Sequence, residues 1–386
     1  MRIAQVVTLV SPDGAYGGPV RVAVNQLAAL KASGHDVTLF STHRGYEAPP
    51  AEIDGVRLVS YKARTVIPKV GFAGLASPAL MARLRRDLAG FDVVHVHLAR
   101  DLVTLPAAWL ALRMGLPLVV QTHGMIDRSA NLLAAPLDAV LTRPVLRRAD
   151  RTLYLTERER QDLREVSRGK ACLTELPNGV PIPPEPLDAC ARTSIEVLFL
   201  ARLQARKKPR IFVEAATRLA AEFPEVTFTL VGPDEGEGPA VEKQIADSGV
   251  LSIAWEGALD PGWTLERMGR SSIYVLPSVD EPFPMTVLEA ASAGLPCVVT
   301  NTCGLAPAIE RWQAGTVVDD SVERLAAAIR ELLSDVGVRK QKSRNARAMV
   351  QGEFGIGAVA RRLEDAYEEI TPTATHKPRA QHGRSW

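Results

Sequence analysis

Chemistry that depends on metal clusters, disulfides or a membrane span has little to work with in this sequence. The four cysteines, Cys172, Cys190, Cys297 and Cys303, include no CxxC pair and no histidine at zinc-site spacing. They read as reduced structural thiols. The greasiest stretch, Leu102 to Val120, is interrupted by Pro106, Arg113, Gly115 and Pro117 and cannot form one membrane-spanning helix. The opening MRIAQVVTLV runs into SPDGAYGGP without a small-residue cleavage site, so it reads as a first strand. A soluble, cytoplasmic chain is the expectation. Charge of one sign is also scarce: a formal +2 over 386 residues argues against global nucleic-acid binding, and partners must be recognised at local sites. No GxGxxG follows the first apolar run with an acidic residue about 20 positions on, which disfavours a dinucleotide oxidoreductase.

What is present is the composition of a globular protein, 46% hydrophobic and 23% charged. A chain of 386 residues exceeds one ordinary core, and two domains are the natural division. Apolar, β-branched runs (IAQVVTLV, VTLF, DVVHVH, LPLVVQTH) alternate with helical spacing, the pattern of a parallel sheet covered on both faces. The pattern restarts after Pro177 to Pro186 with EVLFLA, VTFTLVG, SIYVLPS and PCVVT. That segment, with five prolines in ten residues, suits an extended linker and no helix or central strand. The expected division is an α/β domain over 1–180 and a second over 181–355. Helices are expected over 321–335 and 356–370, the latter amphipathic through Val359, Leu363 and Tyr367, with a disordered tail over 371–386.

In open α/β sheets ligands bind beyond the carboxyl ends of the strands, so the strand-to-helix loops are searched first. Gly17 and Gly18 precede Pro19 at a helix start, where bare N–H groups and the helix dipole suit an anion; a tight turn explains them equally well. His123 follows a buried strand and precedes Gly124, so its ring should emerge at the sheet edge. His95 and His97 alternate onto one strand face, His95 reading as a core histidine. Arg202 at a strand end and Lys207 just before the helix opened by Pro209 form a cationic pair suited to a diphosphate; Arg206, Lys208 and Arg210 read as a solvated face. Lys207, in a loop, is expected to be exposed and to add little to stability. In EPFPMTVLEAASAGLP, Glu281 lies before a helix and Glu289 about two turns further along. Both carboxylates suit the hydroxyls of a long ligand; the alternative makes Glu281 a helix cap and Glu289 a solvent-facing charge.

These pieces, with PNGV at the linker, ARLQARKK and LVGPDEGEG, resemble in order and spacing the retaining, GT-B-fold glycosyltransferases of family 4, or glycosyl transferases group 1. The resemblance covers nearly the whole chain. It implies two Rossmann-like, doubly wound parallel-sheet domains facing a central cleft, with the 356–370 helix returning to the first domain. It implies that Glu281 contacts the transferred sugar and Glu289 the ribose. Arg202 and Lys207 would hold the donor diphosphate and offset the charge on the leaving group. His123 would lie near the sugar, Gly17 and Gly18 would add backbone donors, and Phe283, Met285 and Thr286 would belong to the donor surface. The substrate would be a UDP- or GDP-sugar, with no cofactor and no metal, because the basic pair replaces a divalent cation. In keeping with this, no Asp-x-Asp pair stands at a strand end, and Asp319-Asp320 reads as a helix start.

The acceptor would be a carbohydrate or lipid-linked hydroxyl in cell-surface polysaccharide or glycolipid assembly. Contact with the inner face of the membrane would come from the cations of MARLRRDL and TRPVLRRADR, which also read as solvated helix faces. The chain departs from the frequent E-x-F-G pattern at Pro284, which removes one backbone N–H. A nucleotide-sugar 2-epimerase and a non-catalytic sugar-binding relative are the alternatives.

Overall fold

The computed structural model describes residues 1–12, 17–68, 70–127, 134–183 and 194–371. The tail from residue 372, Cys190, and Pro184 and Pro186 of the proline-rich segment lie outside the described residues. The chain divides into two compact units, Met1–Leu176 with the segment from Ala360, and Pro177–Val359. Among the described residues no helix is long and apolar enough to cross a membrane.

In the first unit, strands β1 (Arg2–Val10), β2 (Asp36–His43), β3 (Glu52–Ile53) and β4 (Val56–Lys62) build one half of a sheet, while β5 (Arg64–Thr65) pairs separately with β6 (Leu75–Ala76). The other half is β7 (Val93–His97), β8 (Leu118–Gln121), β9 (Arg151–Tyr154) and β10 (Leu173–Glu175), in the spatial order β10-β9-β8-β7-β1-β2-β4-β3. All neighbours run parallel except β3 with β4. β7 is buried along its whole length, which is why its sequence is a continuous apolar run broken only by the two histidines. From β1 the chain winds outward to β2 and β4, then returns to the other side of β1 at β7. That reversal is the switch point beyond which open α/β sheets bind ligands.

The second unit repeats the plan with β11 (Glu196–Leu200), β12 (Thr227–Val231), β13 (Ile253–Trp255), β14 (Ile273–Leu276), β15 (Cys297–Thr300) and β16 (Gly315–Val318), ordered β13-β12-β11-β14-β15-β16. All of its pairings are parallel, and the reversal lies between β11 and β14. Each unit has its own apolar core, around Phe40, Leu84, Val94 and Val120 in the first and Phe199, Phe212, Phe228 and Val298 in the second.

Glu196 at the start of β11 ties four segments of the second unit together. Its carboxylate accepts from Arg267 at 2.7 and 2.8 Å, from Ser271 Oγ at 2.7 Å and from Thr229 Oγ1 at 2.6 Å. Burial alone would raise its pKa, but the Arg267, Thr229 and Ser271 bonds outweigh it and hold the carboxyl below the ordinary value. A folded-state pKa below the unfolded one means stability that is present at neutral pH and lost as pH falls below about 4.3. Glu196→Gln is expected to cost roughly 2 to 3 kcal/mol at pH 7. Urea titrations at descending pH should show the gap to the parent protein closing below that range; a gap independent of pH contradicts the assignment.

Two basic stretches have separate fates. Arg143 and Arg147 donate to the carbonyls of Val166 and Ser167, at 2.9 and 2.8 Å, and so cap the carboxyl end of the helix Glu157–Ser167. Arg148 lies over Trp109 at 5.8 Å. Arg143 and Arg147 of TRPVLRRADR are therefore engaged within the unit, whereas Arg148, like Arg85 and Arg86 of MARLRRDL, is exposed. The helix Ile356–Ile370 belongs to the first unit from Ala360 onward, where Glu364 meets His35 at 2.7 Å and Glu369 meets Arg151 at 2.7 Å.

Candidate active site

The loops after β11 and β14 flank the reversal in the second sheet, and they carry the strongest charge cluster there. After Arg202 the chain makes a short 3-10 turn, Ala205–Lys207, and Lys208 takes a left-handed conformation (φ +54°) that lets Pro209 open the next helix. The Val279 N–H donates to the Arg206 carbonyl at 3.0 Å, joining this turn to the loop that bears Glu281. Lys207 Nζ then donates to Glu281 Oε2 at 2.6 Å, and Arg206 lies 3.5 Å from the same oxygen. Lys207 and Glu281 are each only 8% exposed. The expectation of an exposed Lys207 is thus corrected: the backbone bond draws its turn beneath the β14 loop. Burial lowers the Lys207 pKa, Glu281 opposes that effect, and Arg206 and Arg202 add to it.

Arg202 donates to Glu235 at 2.9 and 3.2 Å, and Gln204 donates to the same carboxylate. Gly232 makes this meeting feasible. Its φ is +144°, and a Cβ there would lie 2.0 Å from the Ala201 carbonyl, so only glycine lets the β11 and β12 loops approach so closely. Both site cations therefore already hold a carboxylate. Glu235 is not among the residues expected from sequence, where the acidic run in LVGPDEGEG is the available signal; Arg206, expected on a solvated face, is exposed and also reaches Glu281.

Glu281 is no helix cap. The helix Met285–Ser292 starts after Pro284 with no side-chain cap, and the Glu281 carbonyl instead accepts from the Gly304 N–H at 2.8 Å. Glu289 is the fifth residue of that helix and is half-buried rather than solvent-facing. Phe283 and Met285 pack against the second core, with Phe283 edge-on to Phe354 at 6.1 Å. Thr286 Oγ1 meets the Tyr274 hydroxyl at 2.8 Å. Arg202, Lys207 and Glu281 thus share one switch point, with Glu289, Met285 and Thr286 on the adjoining helix and Phe283 in the loop before it.

His123 lies in the first unit, in the turn after β8, at a left-handed φ of +52°. Glu159 holds that turn: its carboxylate accepts from Thr122 Oγ1 at 2.5 Å, the Gly124 N–H at 2.6 Å and the Leu155 N–H at 2.7 Å. The His123 ring meets His97 at 2.7 Å, and His97 stacks on His95 with ring centres 4.7 Å apart. Gly17 and Gly18 open the helix Gly17–Ala32, and a Cβ on Gly18 would meet nothing within 4 Å. That glycine is not demanded by packing. Residues 13–16 of the same loop lie outside the described residues.

Burial lowers the pKa of His95 and His123 from the ordinary 6.5 to about 3, and that of His97 well below 6.5. Their unfolded counterparts take up protons near 6.5, so each should withdraw roughly 1.4 kcal/mol of stability per pH unit as pH falls from there. Glu159 and Asp101, both raised by burial, act in the opposite sense. We expect the ring proton resonances of the three histidines to stay fixed between about pH 7.5 and about pH 5. A titration of any of them near 6.5 contradicts a neutral cluster.

A family model for the glycosyl transferase 4-like domain matches residues 17–179, and the model for glycosyl transferases group 1 matches residues 190–349. The glycogen synthase of Mycobacterium tuberculosis (H37Rv) is 27% identical over 387 residues, covering 92% of each chain. The D-inositol 3-phosphate glycosyltransferase of Kineococcus radiotolerans is 28% identical over 411 residues, covering 93% of this chain and 92% of that one. Among solved structures, sucrose-phosphate synthase of Thermosynechococcus elongatus superposes with a TM-score of 0.74 at 20% identity, covering 96% and 99% of the two chains. Anabaena HepE in complex with UDP-glucose gives 0.73 at 17% identity, covering 96% and 100%. The parallel α/β plan of both units, the order of the loop motifs and these matches place the chain among the glycosyl transferases of group 1, family-4-like enzymes with the GT-B fold.

Proposed function

We propose that the protein transfers a sugar from a UDP- or GDP-linked donor to a hydroxyl acceptor, with retention of anomeric configuration and without a metal ion. The observation that carries this reading is the cluster at the second switch point, where Arg202, Lys207 and Glu281 converge on the carboxyl ends of β11 and β14. A donor diphosphate would displace Glu235 from Arg202 and draw on Lys207, whose fixed charges offset the anion that grows on the leaving nucleoside diphosphate. Glu281, freed in part from Lys207, then faces the sugar, and Glu289 takes the ribose hydroxyls. Phe283, Met285 and Thr286 form the floor, and the first-turn N–H groups of the Met285–Ser292 helix add a positive helix end. Because two cations already neutralise the phosphates, a divalent ion is not needed. HepE, solved with UDP-glucose bound, supports the donor class.

Within the first unit, the candidate substrate-binding groups are His123 and the helix start at Gly17 and Gly18. The acceptor is a carbohydrate or lipid-linked hydroxyl, and the exposed Arg85 and Arg86 suit contact with the anionic inner face of a membrane. The test is incubation with isotopically labelled UDP- and GDP-sugars in EDTA, with and without mixed glycan and lipid-linked acceptors, followed by NMR of the product. The expected outcome is acceptor-dependent release of nucleoside diphosphate and a glycoside with the donor's anomeric configuration. Inversion would exclude retention, and conversion of the nucleotide sugar without acceptor would replace transfer by isomerisation.

A further inference from the structure

Beneath the turn that carries His123 lies a buried polar network that a sheet interior has no need of. Gln5 of β1, His95 and His97 of β7, Gln121 of β8, Gln26 of the Gly17–Ala32 helix and Tyr367 of the Ile356–Ile370 helix are all fully buried or nearly so. Apolar residues at these positions would avoid the cost of desolvating six polar side chains. The network is directional. Gln26 Nε2 donates to Gln121 Oε1 at 3.1 Å, and Gln5 Nε2 donates to Gln26 Oε1 at 3.2 Å and to the Tyr367 hydroxyl at 3.2 Å. Gln5 Oε1 is left facing His97 Nε2 at 2.9 Å, and an amide oxygen only accepts, so that nitrogen carries the His97 proton. A neutral His97 then has Nδ1 as its acceptor, and the partner at 2.7 Å, His123 Nε2, must be the donor. One amide orientation on β1 thus dictates the tautomer of a ring two strands away.

We propose that Gln5 and His97 are positioning residues that hold His123 as the tautomer protonated on Nε2, with Nδ1 bare to accept a hydrogen bond from a substrate hydroxyl, while Glu159 fixes the backbone turn that aims the ring. This rests on the reading of His123 as a residue near the transferred sugar. The geometry at both ends is built. The ring is tethered through Nε2, and its left-handed turn is held by hydrogen bonds from Thr122 and Gly124, on either side of it, to one buried carboxylate. Free rotation of the ring, or a proton on Nδ1, would present a donor where the reaction needs an acceptor. The lowered pKa of all three histidines agrees with a neutral relay.

The relay makes distinct demands on substitutions at Gln5. Gln5→Met keeps the bulk and removes the acceptor, which frees His97 and therefore His123 to change tautomer. Gln5→Glu keeps an acceptor for His97 Nε2–H and loses only the amide's donors. A role confined to packing would penalise the buried carboxylate at least as heavily as the thioether.

The experiment is long-range proton–nitrogen NMR on the full chain with nitrogen-labelled histidine, His123 being assigned by His123→Asn, which tolerates positive φ, together with kcat and KM for each variant. In the parent protein, protonated Nε2 and bare Nδ1 are expected on both His97 and His123. Gln5→Met should give mixed tautomers and lower kcat roughly tenfold or more with donor KM little changed, and Gln5→Glu should restore the tautomer and most of kcat. A proton on His123 Nδ1 in the parent spectrum, which needs no Gln5 variant to fold, overturns the proposal. So does a Gln5→Met enzyme with unchanged tautomers and kcat. Failure of the underlying reading looks different: His123→Asn itself would then transfer at the parental rate.

Discussion

Glu281→Gln should lower the rate of sugar transfer by roughly 10²- to 10³-fold while leaving nucleotide affinity within a few fold, the magnitude expected when one electrostatic contact to the transition state is lost in a water-poor site. The substitution is nearly isosteric and retains an oxygen for Lys207 Nζ, which now lies 2.6 Å from the carboxylate. What it removes is the negative charge. In the proposed donor complex that charge would face the anomeric carbon as positive charge develops there; in the structure it balances the buried ammonium. In the proposed site nucleotide binding would depend chiefly on Arg202, Lys207 and Glu289, so the Kd of the nucleoside diphosphate from calorimetry should change little. A variant that lost nucleotide binding in proportion to its rate would make Glu281 a structural residue.

Lys207→Ala is expected to have two large effects. Removing a cation from the leaving diphosphate should lower transfer about as severely as the Glu281 change. It should also destabilise the second unit by roughly 2 to 4 kcal/mol, because a buried carboxylate that loses its partner keeps its desolvation cost. Arg206, 3.5 Å from the same oxygen, replaces the lost charge only in part. Combining Lys207→Ala with Glu281→Gln should restore part of the lost stability without restoring transfer, since the double change removes both members of one pair. Thermal denaturation separates the two effects: a Lys207→Ala protein that melts like its parent would contradict the buried pair.

The Lys207 case shows where sequence reading ends. The sheet strands were legible because parallel strands covered on both faces must be continuously apolar, as β7, β11, β14 and β15 are. The common face of His95 and His97 followed from the period of two along a strand, and their rings do stack. The position of Arg202 at a strand end and of Glu281 in the loop before a helix followed from the same run boundaries. What lay beyond reach was set by contacts distant in sequence. The Val279–Arg206 backbone bond, 73 positions apart in numbering, buries Lys207, and the Gly232 close approach delivers Glu235 to Arg202. Likewise Thr156 and Glu159 have the spacing of a capping box, and the Glu159 N–H does donate to Thr156 Oγ1 at 3.3 Å. Nothing local signals that the Glu159 carboxylate turns instead to the His123 loop. Arg143 and Arg147 look like part of a surface stripe in sequence for the same reason: the helix end they cap is about 20 residues away.

On the proposed reading, the second unit binds a nucleoside diphosphate sugar through two fixed cations without a metal. The measurement that tests it most directly is the melting temperature of the full chain with UDP, GDP, ADP and their common sugar conjugates, in the presence of EDTA. A ligand that binds only the folded state must stabilise it, by about 2.7 kcal/mol at a hundredfold excess over Kd. One nucleotide class should raise the melting temperature by several degrees in EDTA, and Lys207→Ala should abolish the shift. Silence from every nucleotide, or a shift that appears only when a divalent ion is added, would contradict it.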